Sequence, residues 1–101
     1  MKDHRPREPA QQARDEAELF RALLALRDAD ECGRFLRDLL TPAELQAMAD
    51  RWRVVRLLDE DLPYRRIHEL TGVSVTTIGR VARYLTHGNG GYPIALERCR
   101  D

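Results

Sequence analysis

The sequence predicts an all-α protein, and three observations carry the prediction. Apolar residues recur at the three- and four-residue spacing of a helix face through long runs of the chain. β-branched residues form few clusters, so no strand stands out. Helix punctuation is frequent: Thr-Pro and Ser before apolar-periodic runs, and Gly after one. At 101 residues the chain builds one domain around one modest core.

The opening MKDHRPREPAQQ is polar, carries two prolines and has no apolar run; residues 1–11 are expected to form a disordered arm. The helical domain is expected over residues 12–101. A first helix over residues 12–27 carries the broad stripe Leu19, Phe20, Leu23, Leu24 and Leu26. Asp28 or Asp30 caps a second, in which Cys32, Phe35, Leu36, Leu39 and Leu40 follow the offsets of a buried face. Two leucine-faced helices in succession are more apolar surface than a chain this short covers alone, which points to a partner subunit.

Thr41-Pro42-Ala43-Glu44 is the sharpest local signal. Threonine as N-cap accepts from an otherwise orphaned amide, proline at the first helical position forfeits no bond, and glutamate at the third reaches back to the cap. The helix it opens runs to Asp59, with Leu45, Met48, Ala49, Trp52, Val55 and Leu57 or Leu58 inward and Arg51, Arg53 and Arg56 elsewhere. Trp52 reads as a core anchor. Asp59-Glu60-Asp61 closes that helix and Pro63 opens a short one ending at Thr71, with Ile67 and Leu70 inward. Gly72 supplies the turn. Ser74 caps a helix from Val75 to about Leu85 whose apolar face is Ile78, Val81, Ala82 and Leu85. Residues 86–91 form a glycine-rich turn, and a last short helix from Tyr92-Pro93 carries Ile94 and Leu96.

Charge is uneven along a chain with no net charge. Residues 1–62 hold 11 basic and 14 acidic side chains, while residues 63–86 hold Arg65, Arg66, Arg80 and Arg83 against the single Glu69. A basic segment on a neutral protein is an electrostatic footprint for phosphate, or else a solvated face in an arginine-rich chain. No apolar run approaches the roughly 20 residues that span a bilayer, and no secretory leader opens the chain, so a cytoplasmic location and no membrane contact are expected. Cys32 and Cys99 lack zinc-site and CxxC spacing and are expected to be reduced thiols. His4, His68 and His87 have no catalytic or metal-ligating partner set, and the glycines at 88–91 follow a helix rather than a strand, without a phosphate-loop pattern. Neither an enzyme, nor a metal, nor a cofactor is expected.

Helix, glycine turn and helix over residues 63–86 is the spacing of a helix-turn-helix. Ile67, Val73, Ile78 and Val81 are placed to lock the crossing. The second helix begins with the short side chains Val75, Thr76 and Thr77, which let a backbone approach base edges; their hydroxyls and methyls suit bases and phosphates. Arg65, Arg66 and Arg83 flank that end, where phosphate contacts set register. Ser74 and Gly79 share the same expected surface. The position four before Gly72 is normally small because the second helix packs there; here it is His68, so the helices cross wider or His68 turns out to phosphate or solvent. These residues make double-stranded DNA the expected partner, with a helical protein-interaction module as the alternative.

LLTPAELQAMADRWRVVRLLDEDLPYRRIHELTGVSVTTIGRVARYL resembles the core of the Trp repressor superfamily, and YLTHGNGGYPIALER resembles its YerC/YecD branch, small bacterial TrpR-like proteins. The resemblance covers residues 15–100. It implies a bundle of about six helices with a helix-turn-helix, an intertwined homodimer, and sequence-specific transcriptional regulation, by repression, at a roughly palindromic operator. By motif match, Thr41, Arg51 and Arg80 stand where the family's repressor holds tryptophan, Arg51 at the carboxylate and Arg80 at the indole. Two matches fail: Val81 replaces a glycine beside the indole, and Tyr84 replaces a serine one turn on, where its ring could fill the slot. The expectation is DNA binding without tryptophan or with another effector; an effector-dependent aporepressor is the alternative, as are Arg51 and Arg80 acting as salt-bridging residues with Asp50 or Glu44.

Overall fold

A computed structural model describes residues 8–100. Among them there are six helices and no strand: α1 (Pro9–Ala25), α2 (Ala29–Leu39), α3 (Pro42–Asp59), α4 (Tyr64–Thr71), α5 (Val75–His87) and α6 (Gly91–Cys99). They divide into two units, one ending at Leu40 and one beginning at Thr41.

In the first unit, α1 starts at Pro9, three residues before the expected Gln12. Proline at the first helical position costs the helix no bond, so the helix reaches into the segment expected to be a disordered arm. Residues 1–7 of that arm lie outside the described residues. The helix also ends earlier, at Ala25, where Leu26 turns extended. Asp28, not Asp30, caps α2: its carboxylate accepts from the Glu31 amide at 2.9 Å. Neither helix buries a residue. Phe20 is 53% exposed, Leu24 86% and Leu39 52%, so the apolar surface expected to need a partner is uncovered in the single chain.

The second unit holds the core, formed by Val54, Val55, Ile67, Ile78, Val81 and Leu96. The capping box at its start is present in full. The Glu44 amide donates to the Thr41 hydroxyl at 3.1 Å, and the Glu44 carboxylate accepts from the Thr41 amide at 2.8 Å. The Thr41 backbone amide first, and the Thr41 hydroxyl second, hold the Glu44 carboxyl below its ordinary range. At the far end Asp61 takes a left-handed conformation (φ 62°). Its amide reaches the Leu58 carbonyl and that of Leu62 the Leu57 carbonyl, a paired closure that satisfies two orphaned acceptors. Leu57 and Leu62, brought together by this closure, both pack on the core.

Helices α3, α4 and α5 pack pairwise, and α6 returns along α5 to place Leu96 in the core. Trp52 is half-buried with its ring centroid 6.5 Å from that of Tyr92, an anchor rather than an exposed platform. Arg100 spans from the end of α6 to Asp59 with two bonds of 3.0 and 3.1 Å. Three inward assignments on α3 and α4 need correction. Met48 and Ala49 are exposed, and Leu70 is 36% exposed, whereas Val54 is completely buried. Val54 and Val55 are neighbours about 100° apart around the helix, so burying both needs cover on two sides; α4 and α5 both pack on α3.

Candidate nucleic-acid interface

The turn between α4 and α5 is held by a small network. Gly72 sits at φ 74° and ψ −1°, a left-handed position open to glycine without strain, and its amide donates to the His68 carbonyl at 2.8 Å. The Thr71 hydroxyl donates to the Ile67 carbonyl at 2.7 Å and accepts from the Val73 amide at 3.0 Å. His68 Nδ1 donates to the Val73 carbonyl at 2.7 Å. A carbonyl can only accept, so the proton sits on Nδ1, and a neutral ring presents Nε2 as an acceptor. His68 therefore staples the turn with one nitrogen and faces solvent with the rest of the ring. Neither sequence expectation for His68 included that bond. Thr71 was also missed; a threonine directly before the C-terminal glycine was its signal.

Ser74 begins α5 as expected. Its oxygen accepts from the Thr77 amide at 3.1 Å while its hydroxyl donates to Thr77 Oγ1 at 3.0 Å. The Ser74 hydroxyl hydrogen is thus engaged, and the hydroxyls of Thr76 and Thr77 remain as donors at this end. Val75 is 52% exposed and Thr76 is exposed beside it. Ile78 and Val81 turn the other way, into the core. Helix α5 is thereby fixed to the unit along one face, and its short N-terminal side chains are left open.

The basic residues differ in what holds them. Arg66 pairs with Glu69 at 3.5 Å across an exposed turn, a weak contact in water. Arg65 is exposed. Arg80 and Arg83 approach the ring of Tyr84, their guanidinium carbons 5.2 and 5.9 Å from its centroid, within cation–π range. Together with Thr76 and Gly79 they line an open hollow of about 360 Å³. Tyr64 on α4 lies over Gly79; a Cβ there would meet its ring carbon at 3.9 Å. The Arg80–Tyr84 contact was legible as an i, i+4 pair on a helix.

Of the residues assigned to an effector slot, the structure brings Arg80 and Tyr84 together. Thr41 has its hydroxyl and amide in the capping box, and Arg51 is exposed on α3; neither lines the hollow at Arg80. Asp50 accepts from Gln46 at 2.8 Å and Glu44 from Thr41, rather than from Arg51 or Arg80. Val81 is 2% exposed, its methyls part of the core. A second hollow, about 390 Å³, opens at the corner of α5 and α6 between Tyr84, Asn89, Gly91 and Tyr92. Gly90, at φ 85°, makes that corner possible. Among the described residues Cys32 and Cys99 are free thiols, no group of three or more His, Cys, Asp or Glu is placed to hold a metal, and no helix is long and apolar enough to cross a membrane.

The family model for the Trp repressor protein matches residues 15–100. The chain is 44% identical over 84 residues to the uncharacterized protein YerC of Bacillus subtilis (strain 168), covering 83% of this chain and 81% of that one. Among solved structures, a TrpR-like protein from Eubacterium eligens ATCC 27750 superposes with a TM-score of 0.78 at 41% identity, over 81% of this chain and 84% of the other. A candidate Trp repressor from Staphylococcus aureus gives a TM-score of 0.81 at 33% identity, over 91% and 94%. The six helices, the turn at Gly72 and these similarities lead to one assignment: the chain belongs to the Trp repressor superfamily, in its YerC branch.

Proposed function

We propose that the protein is a DNA-binding transcriptional regulator, not an enzyme, that acts as a homodimer on double-stranded operator DNA in the cytoplasm. One observation carries this most: α5 is bolted to the core by Ile78 and Val81 while its opposite side offers Val75, Thr76, Arg80 and Arg83 to solvent. Short side chains at the N-terminal end admit the backbone to a major groove, and the arginines can reach phosphates on its rim. Arg65 extends the basic edge from α4. Thr77 and the outward edge of His68 border the same surface, with Arg66 and Ser74 in supporting places and Gly79 forming the floor. The uncovered leucines and Phe20 of α1 and α2 are the surface a second copy would bury. Thr41, Arg51, Arg80 and Tyr84 are not offered as a tryptophan site, because Val81 is core and Tyr84 occupies Arg80.

Duplex binding titrated against salt tests this. Three arginines per subunit in a dimer neutralise about six phosphates, so log affinity should fall against log salt with a slope of about −5. The double substitution Arg65→Glu with Arg83→Glu should abolish retention on a DNA column and leave the dimer intact on sizing. Full retention by that variant would place the DNA surface elsewhere, and no retention of the wild-type chain at low salt would favour a protein-interaction module.

A further inference from the structure

We propose that Tyr84 is a positioning residue of the reading helix, whose ring holds the guanidinium groups of Arg80 and Arg83 at the rim of the hollow they line. The proposal rests on the DNA-binding reading and adds to it a residue that touches no base. Arg80 lies one turn before Tyr84 and Arg83 directly before it, and both guanidinium carbons lie within 6 Å of the ring centroid (5.2 and 5.9 Å). Neither arginine has a carboxylate partner among the described residues, and α5 contains no acidic residue at all. The ring is therefore the restraint that these two side chains share.

The chemistry of that restraint suits a phosphate contact. A glutamate at position 84 would hold the arginines equally well but would cancel the charge they bring. An aromatic face attracts a cation through its quadrupole and leaves the net charge unchanged. Arginine carries a large rotamer entropy, and part of it is lost when the side chain is fixed on a ligand. A ring that already narrows those rotamers reduces the loss at the moment of binding, which raises affinity without adding an interaction. The hollow bounded by Thr76, Gly79, Arg80 and Arg83 is the open space that both arginine side chains border.

Two measurements on the full chain separate this role from a structural one. In the first, Arg Nε–H resonances are recorded without DNA. Those of Arg80 and Arg83 should carry a ring-current shift in the wild type and in Tyr84→Phe, and lose it in Tyr84→Leu. In the second, duplex affinity is measured against salt. Tyr84→Phe should bind like the wild type, and Tyr84→Leu about two- to fivefold more weakly, the range expected for one exposed cation–π contact. The salt slope of Tyr84→Leu should stay unchanged, because the arginines still reach phosphate. Arg83→Ala should instead lower the slope by about 1 for each phosphate that the side chain no longer neutralises. Tyr84 is 41% exposed, so helicity should survive the change, and Tyr84→Gln replaces Tyr84→Leu if it does not. Wild-type resonances without ring-current shifts would overturn the proposal. So would a Tyr84→Leu variant that binds as tightly as the wild type, which leaves the DNA-binding reading standing. A wild-type chain that ignores duplex DNA at low salt, with the arginine shifts present, would sink that reading and this role together.

Discussion

Gly72→Ala isolates the backbone term at the turn between α4 and α5. Gly72 lies at φ 74°, and a Cβ built on it meets nothing within 4 Å. The substitution therefore adds no clash, and its cost is conformational. Placing an L-residue in the left-handed region costs about 1–2 kcal/mol. Alanine also stiffens the unfolded chain relative to glycine, which returns about 0.4–1 kcal/mol to the folded state. The net destabilisation should be about 0.5–1.5 kcal/mol, a fall in melting temperature of roughly 3–10 °C for a domain of this size. The assay is chemical denaturation followed by helical circular dichroism, at one fixed protein concentration because the stability of the proposed dimer would depend on it. Gly72→Asn should lie between the wild type and Gly72→Ala, since asparagine tolerates this region better. A semisynthetic chain carrying D-alanine at position 72 should be more stable than the wild type by about 0.4–1 kcal/mol, because the D-residue prefers positive φ and still restricts the unfolded chain. A destabilisation of about 3 kcal/mol or more in Gly72→Ala, well beyond the left-handed penalty, or an equal destabilisation with D-alanine, would show that crowding rather than backbone strain governs the turn.

Two further outcomes are expected. The Glu44 carboxyl is held below its ordinary range by the Thr41 amide and hydroxyl bonds, so the capping box stabilises fully above the unfolded carboxylate range and weakens as pH falls through the folded value. Glu44→Gln, which keeps an acceptor but cannot titrate, should flatten that part of the stability profile between about pH 6 and pH 3; an unchanged profile would mean the carboxylate adds nothing to the cap. Calorimetric titration with tryptophan should give no micromolar binding, because Val81 fills the core position and Tyr84 engages Arg80; a micromolar isotherm would overturn that reasoning.

The features legible in the sequence are those whose cause is local. Thr41 with Pro42 and Glu44, Gly72 before Ser74, and the apolar Ile67, Ile78 and Val81 each answer to a rule spanning one or two helical turns, and the structure places them accordingly. The errors arise where a second element decides. Periodicity selects one stripe on a helix, so it picks out Val55 and passes over Val54, which only packing on two sides can bury. Sequence spacing weighs His68 against the second helix; what occupies it is the Val73 carbonyl, five residues on and beyond the turn. Proline at position 9 sits in a polar segment that reads as unstructured, yet its place at the first helical position makes it a starter.

Arg80 is where the regulatory question narrows. A diffusible ligand that stacks on this arginine must give up translational and rotational freedom to do so, and it acts only when its concentration exceeds its dissociation constant. The Tyr84 ring sits one turn away on the same helix and is already in contact at 5.2 Å, with no such cost. A ligand competing for the same guanidinium would first have to displace a ring tethered to the same helix. Burial of Val81 closes the neighbouring space with methyl groups that cannot withdraw without opening the core. If α5 reads DNA as proposed, a small molecule would control it through a different surface, and the hollow between Tyr84, Asn89, Gly91 and Tyr92 borders the same ring. A ligand entering there would act on Arg80 and Arg83 only by moving Tyr84, which makes the tyrosine, rather than either arginine, the residue through which an effector would have to speak.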